Sequence, residues 1–268
     1  MNCKILVEEN LIRRIPSLKE KDLATKARAL MRDLGLRILV VTDDIERVVG
    51  VVWRESILAI TSSRSNLLIK DLMSESQIIG FHNECMIDLV RKMLDHDVWY
   101  SPIVNSSDNK RYVGVFGLET FIERIIRESD ISAKLRQIRV SDIMTRDIVT
   151  VSPNTFISTV WRYMIKYRFA GFPVVNERNI VIGIITQHDL LRANISFQSE
   201  SGPRRGPRVI SIMTRPAITI GEDSDLLEAS EIMIKRDIGR IPVVARDGVI
   251  RGIIDRSDVA REIIRLLG

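Results

Sequence analysis

The chain has 268 residues, 45% of them apolar, with 14 Gly and 8 Pro, enough for one large domain or two ordinary ones and unlike a disordered chain. Its 40 basic and 35 acidic residues give a net charge of +5, spread along the chain rather than gathered in a tail, which leaves anionic ligands and nucleic acid open without favouring either. No apolar run approaches the roughly 20 residues of a membrane helix, "MNCKILVEENLIRR" lacks a signal peptide's apolar core, and a cytoplasmic protein without membrane insertion is expected.

In chain order, a first unit begins near Leu11, with Met31, Val40 and Gly50 at intervals that recur later and about one helical turn inserted after Pro16. A second places Met73, Met93, Pro102 and Gly114 on the same ruler, with two extra residues in the turn "NSSDNKRY". A polar stretch, "ESDISAKLRQIR" (128–139), reads as a helical connector. The third unit starts at Val140 and the fourth at Val209. Met144, Met164, Pro173, Gly183 and Asp189 map without a gap onto Met213, Met233, Pro242, Gly252 and Asp258, each 69 residues further on. Self-similarity at a fixed period marks repeats of one unit.

Each unit predicts the same elements. A short extended run ("IVTV", "AITI") precedes an amphipathic helix ("FISTVWRYMIKYR", "DLLEASEIMIKRD"). Two β-branched strands follow ("FPVVN" to "IVIGIIT", "IPVVA" to "VIRGIID"), joined by tight polar turns, and a last helix closes the unit. The fold class is α/β (α+β), four β-α-β-β-α repeats. The expected boundaries are 1–66 (degenerate), 67–130, 139–195, a basic linker over 196–208, and 209–268. A unit of about 55 residues is marginal alone, so the repeats are expected to pair sheet to helix, 1–130 and 139–268. Met31, Met93, Met164 and Met233 fall at core positions of the helices. Cys3 and Cys85, far apart and without CxxC spacing, suggest neither a disulfide framework nor a zinc site; His82 and His96 have no partner at metal spacing.

The stretch "GIITQHDL" carries the chemistry. Thr186 and Asp189, three residues apart after an apolar strand, have the spacing of a capping box, and equally of a ligand site sharing the N–H groups of a helix start. His188 lies on the same turn. Arg146 and Arg215 follow the Met-Thr pair at equivalent positions, where a guanidinium fork suits phosphate. The segment 195–209, "ISFQSESGPRRGPRV", with Arg204, Arg205 and Arg208, reads as a loop, either a solvated linker or a basic flap toward phosphate, an acidic partner or RNA.

The "DIMT" lead-ins, the "GFPVV" and "GRIPVV" strands and the "GIITQHDL" ending resemble the CBS domain, the cystathionine-β-synthase type repeat, whose tandem pair is a Bateman module. The resemblance implies a regulatory module without catalysis that holds an adenosine-type ligand (AMP, ADP, ATP or S-adenosylmethionine) between paired repeats. The Asp of the closing motif would take ribose hydroxyls and the Thr phosphate. Backbone and apolar groups of the lead-in and the x-Pro strand, here Phe172, Pro173, Ile241 and Pro242, would hold the base. Thr186 and Asp189 match in the third repeat. In the fourth, Asp258 matches but Asp255 replaces the Thr, favouring a nucleoside-like or sulfonium ligand or a phosphate bridged by Mg, with Arg256 offsetting the charge. Gly117 and Thr120, and Trp53 and Ser56, leave the first two repeats without the carboxylate. Trp53 is expected to fill its cleft, so the ligand is placed in 139–268.

These residues lead to a stand-alone sensor that modulates a separate protein target. A ligand-independent interaction scaffold is the alternative, and a nucleic-acid regulator using the arginine loop ranks behind it, no nucleic-acid-binding motif being visible. Four repeats complete a disc in one chain or two chains dimerise through matching modules; the homodimer is preferred.

Overall fold

A computed structural model describes residues 5–59, 66–193 and 206–268. The four units follow one plan. The first has α1 (Ala24–Asp33), β1 (Ile38–Thr42), β2 (Val48–Trp53) and α2 (Arg54–Leu58); the second has β3 (Gly80–Phe81), α3 (Met86–Asp95), β4 (Tyr100–Val104), β5 (Tyr112–Gly117) and α4 (Leu118–Ile125). A connector helix, α5 (Ser129–Leu135), follows, packed on the fourth unit. The third unit has α6 (Val140–Ile143), α7 (Ile157–Tyr167), β6 (Gly171–Val175), β7 (Val181–Thr186) and α8 (Gln187–Arg192); the fourth has β8 (Ile220–Gly221), α9 (Leu226–Lys235), β9 (Arg240–Val244), β10 (Ile250–Asp255) and α10 (Arg256–Leu267).

Every unit is a hairpin with a short parallel edge. β4 pairs antiparallel with β5 and parallel with β3, and β9 does the same with β10 and β8. In the first and third units the edge shrinks to the single parallel bridges Leu18–Val41 and Val151–Val174. The turns repeat too. The residue four after each core methionine, Gly35, Asp97, Arg168 and Asp237, has a positive φ and ends the helix in the left-handed region. The residue four before each strand glycine, Glu46, Lys110, Asn179 and Gly248, has one as well and closes the hairpin. Only two of the eight are glycines, so the common backbone is imposed by the packing around it more than by local preference.

The lead-in segments cross over. Arg13 bridges Val115 of the second unit and Ser74 bridges Val51 of the first; Thr145 bridges Ile253 of the fourth and Thr214 bridges Ile184 of the third. At each crossing the partner strand presents a glycine. A Cβ on Gly252 would stand 2.4 Å from Met144 Sδ, one on Gly183 2.9 Å from Met213 Sδ, and one on Gly114 2.5 Å from Ile12. The Met of "IMT" and the Gly of "GII" are thus two halves of one contact, and Met144 and Met213 are 6% and 8% exposed.

The expected sheet-to-helix pairing is replaced by two separate kinds of contact. Within a pair, hairpins join hairpins. Ile38, Val40, Val48 and Val51 pack on Tyr100, Val104 and Val115, and the hairpin tips bridge at Arg47–Arg111 and Ile180–Val249. Between pairs, helices meet helices. One core joins the first and third units through Met31, Leu39, Ile57, Met164, Phe172 and Leu190; another joins the second and fourth through Met93, Phe121, Met233, Ile241 and Ile263. An alternating strand gives each unit two apolar faces, one for each contact. Cys85, at the start of α3, is disulfide-bonded, which the wide cysteine spacing did not suggest.

Candidate functional site

The closing motif sits where β7 runs into α8. Thr186 is the N-cap, extended at φ −128° and ψ 165°. Its N–H (2.8 Å) and hydroxyl (2.6 Å) donate to Asp189 Oδ2, and its Oγ accepts from the Asp189 N–H at 3.3 Å. The capping box is therefore formed, contributing about 1 kcal/mol to the helix start. Asp189 has a further bond. From the crossed lead-in, the hydroxyl of Thr214 donates to its Oδ1 at 2.8 Å. The carboxylate is 6% exposed and lies between two units.

The fourth unit repeats the frame with altered chemistry. Asp255 caps α10, its Oδ1 accepting from the N–H groups of Ser257 (2.8 Å) and Asp258 (3.2 Å) and from the Ser257 hydroxyl. Asp258 Oδ2 accepts from the Asp255 N–H at 2.9 Å. Burial, with the Asp255 charge second, pushes the Asp258 carboxyl up to about 7. Asp255 is register partner to Arg240, whose pKa is lowered by burial and only partly restored by the Asp255 charge.

The remaining expected residues scatter. Arg256 does not offset Asp255. Fully buried, it turns toward the second unit, donating to the Tyr100 hydroxyl (3.1 Å) and Glu119 (3.2 Å), and to Asp237 at 2.8 Å. Arg146 is exposed and donates to the Ser141 carbonyl at 2.8 Å, a local tie rather than a phosphate clamp. Arg215, in the lead-in of the fourth unit, is exposed. Phe172 and Ile241 belong to the helix-facing cores at 0% exposure, so their side chains do not face a ligand; Pro173 and Pro242, one residue on, sit on the opposite strand face, paired with Ile184 and Ile253. His188 is half-buried with its Nδ1 unpartnered, and burial followed by the nearby Arg54 lowers its pKa. The site contains too few donors for Mg. Asp255 is consumed as a cap, Asp258 holds its proton toward neutrality, and no cluster of three His, Cys, Asp or Glu occurs among the described residues. Trp53 caps α2 and packs on the hairpin core. Of the arginine loop, 194–205 lies outside the described residues, and Arg208 is anchored over Phe156 with a bond to the Asn154 carbonyl at 2.9 Å.

Sequence reasoning missed the junction of the pairs. Arg37 donates to the Tyr100 hydroxyl and to the Asp237 carbonyl (3.4 Å). Burial, then the Arg37 charge, pushes Arg54 down to about 10 while its guanidinium bonds the carbonyls of Gly35 and Leu36. Arg240 lies over the Trp99 ring at 5.6 Å. Arginines from the first and fourth units thus meet acids and rings from the second and fourth.

A family model described as CBS domain matches residues 140–196 and 209–265, the two units that carry these helix starts. Protein MJ1225 of Methanocaldococcus jannaschii is 30% identical over 200 residues, 72% of this chain and 69% of that protein. The chain belongs to the CBS-domain family. The crystal structure of MJ1225 covers 96% of this chain and 99% of its own at a TM-score of 0.83 with 24% identity, so the CBS fold extends through all four units. Protein MJ1404 of the same organism is 26% identical over 97% of this chain, which spans 62% of that relative's length. No helix among the described residues is long and apolar enough to cross a membrane.

Proposed function

We propose that this CBS protein is a regulatory sensor that binds an adenosine-type ligand between its third and fourth units and modulates a separate protein target. The observation that carries the reading is Asp189: a carboxylate 6% exposed, at a helix start between two units, with a hydroxyl from Thr214 on its Oδ1. A ribose hydroxyl replaces the Thr214 hydroxyl with like chemistry. A charged group is rarely placed at such depth unless it is paired or coordinates something. Asp258, at the equivalent place, keeps a proton near neutrality and offers both a donor and an acceptor to a hydroxylated ligand. With Asp255 beside it, that half of the module suits an uncharged or cationic adenosyl group better than a phosphate. Regulation follows if the ligand prefers one arrangement of the paired units over another.

The test is isothermal titration of nucleotide-stripped protein with AMP, ADP, ATP, adenosine and S-adenosylmethionine, repeated on Asp189→Ala and Asp258→Ala. Micromolar binding lost with one substitution assigns the site. Absence of heat from every compound, with the protein folded, leaves Thr186 and Asp189 as a helix cap and the scaffold reading in its place.

A further inference from the structure

The C-terminal end of α7 departs from the plan the other three units share. With 3 Trp, 4 Tyr and 7 Phe in the whole chain, six of these rings fall between Phe156 and Phe172, and the helix runs out through "IKYRF", Ile165 to Phe169. Ile165 is 60% exposed and Phe169 43%. Apolar residues at the same distance from the core methionine are covered in the other units. Leu94 and Leu36 are 5% and 4% exposed, and Ile234, Val98 and Ile238 pack on the core of the second and fourth units. The cause lies in the neighbouring helices. α4, α5 and α10 all pack on α9, whereas among the described residues no helix covers α7 to that extent. Phe169 stacks on Tyr167 at 5.9 Å, which holds the exposed ring in place.

The charges at this end are as unlike their counterparts as the rings. The last turn of each core helix carries a cation, Arg32, Lys92, Lys166 and Lys235, where the helix dipole favours one. Three of them have an acid of their own: Arg32 pairs with Asp33 at 2.7 Å, Lys92 with Glu84 at 3.3 Å and Lys235 with Glu231 at 2.9 Å. Lys166 instead lies over the Tyr167 ring at 4.9 Å, and Arg162 donates to the Thr159 hydroxyl at 3.4 Å. Between Asp147 and Glu177 the sequence holds no acid at all. Arg162, Lys166 and Arg168 are exposed, and none of them forms an ion pair among the described residues.

We propose that the end of α7 is the docking surface for a separate protein, and that the segment it takes is acidic with apolar anchors: carboxylates on Arg162, Lys166 and Arg168, anchors against Ile165 and Phe169. Scattered apolar side chains on a surface need no explanation, but an exposed pair interleaved with cations that lack an acid matches the aromatic and arginine anchors of protein interfaces. Charge complementarity sets the partner's sign. A second copy meeting this surface by two-fold symmetry would bring like charges together. A nucleic acid would find one exposed ring rather than a row of them, because Tyr167 is already stacked by Phe169 and overlain by Lys166. The proposal rests on the part of the proposed function that gives the chain a separate protein target, and not on the adenosine ligand.

The experiment selects a display library of random linear peptides on the full chain, then measures the selected peptides against variants. Peptides rich in Asp and Glu with apolar anchors are expected, with affinity that falls as salt is raised and drops at least tenfold in Lys166→Gln/Arg168→Gly and in Phe169→Ser. Arg168 has a φ of 57°, so glycine removes its charge while easing the backbone, and a thermal melt of each variant separates lost docking from lost structure. Asp189→Ala should bind the same peptides as the native chain does, so a failure here leaves the ligand titration standing. Selected peptides without an acidic excess, or binding unchanged by both variants, overturn the proposal. So does a single-stranded oligouridine that binds through these residues when no acidic peptide does, or a dimer in sedimentation that Phe169→Ser abolishes.

Discussion

Replacing Asp258 by Asn isolates the one carboxyl in the candidate site that folding pushes upward. Its pKa rises from 3.8 to about 7, through burial first and the Asp255 charge second. The folded chain therefore keeps a proton that the unfolded chain has released, and stability falls as pH rises between those values. Linkage over that interval places the cost at about 2 kcal/mol at pH 5 and about 4 kcal/mol at pH 8, complete above the folded value. Asn is neutral throughout, and its amide oxygen still accepts the Asp255 N–H at the place where Asp258 Oδ2 does at 2.9 Å. Urea denaturation at pH 5 and pH 8 reads the difference. The variant is expected to gain 2 to 3 kcal/mol on the native protein between the two pH values, whatever its offset at pH 5. Asp22, Asp43 and Asp237, whose pKa values are lowered, favour the fold as pH rises and are common to both chains, so they cancel. A variant whose advantage is constant with pH, or greater at pH 5, would refute the argument.

Gly252→Ala drives a methyl to 2.4 Å from Met144 Sδ and 2.9 Å from the Thr145 carbonyl; it should lose about 1–3 kcal/mol and more than Gly183→Ala, whose nearest atoms are 2.9 and 3.0 Å away. Thermal melts showing the reverse order would sink that comparison. Arg256→Met strips Glu119 and Asp237 of their ion-pair partner at the junction, while Tyr100 keeps its bond to Arg37, and should cost about 3–5 kcal/mol; a double-mutant cycle with Glu119→Gln should return more than about 1 kcal/mol of coupling, and additivity would mean the bond is incidental. Phe172→Ala empties a fully buried site packed against Tyr163 and Phe169, for a loss of about 3–5 kcal/mol with little effect on ligand affinity, since the ring faces the helices. A matching collapse of affinity in the folded variant would contradict that placement.

The elements were legible because each is local. β-branched runs made the hairpins, helical spacing put Met31, Met93, Met164 and Met233 into cores at 0–3% exposure, and Thr186-x-x-Asp189 made its cap. The partnerships were not legible, because nothing in "IMT" says that its methionine rests on a glycine of another unit. The same limit explains Arg256. Its neighbours in sequence are cap residues, while its partners Tyr100 and Glu119 lie 156 and 137 residues away. Glu119 escaped notice because the motif ruler inspects the third helical position, where Thr120 stands; a glycine N-cap followed two residues later by Glu was the available signal. Phe172 and Ile241 were misplaced by one step of strand alternation, which turns a side chain to the other face.

The two kinds of contact have a consequence for how the molecule comes apart. Hairpins join the first unit to the second and the third to the fourth, while helix cores join the first to the third and the second to the fourth. Followed from neighbour to neighbour, the path runs one, two, four, three and back to one. A solenoid built from similar repeats has two ends, frays from them, and needs caps to shield them. A closed circuit has none. No unit can peel away without breaking two seams at once, so the four repeats should lose structure together in a single transition rather than one by one.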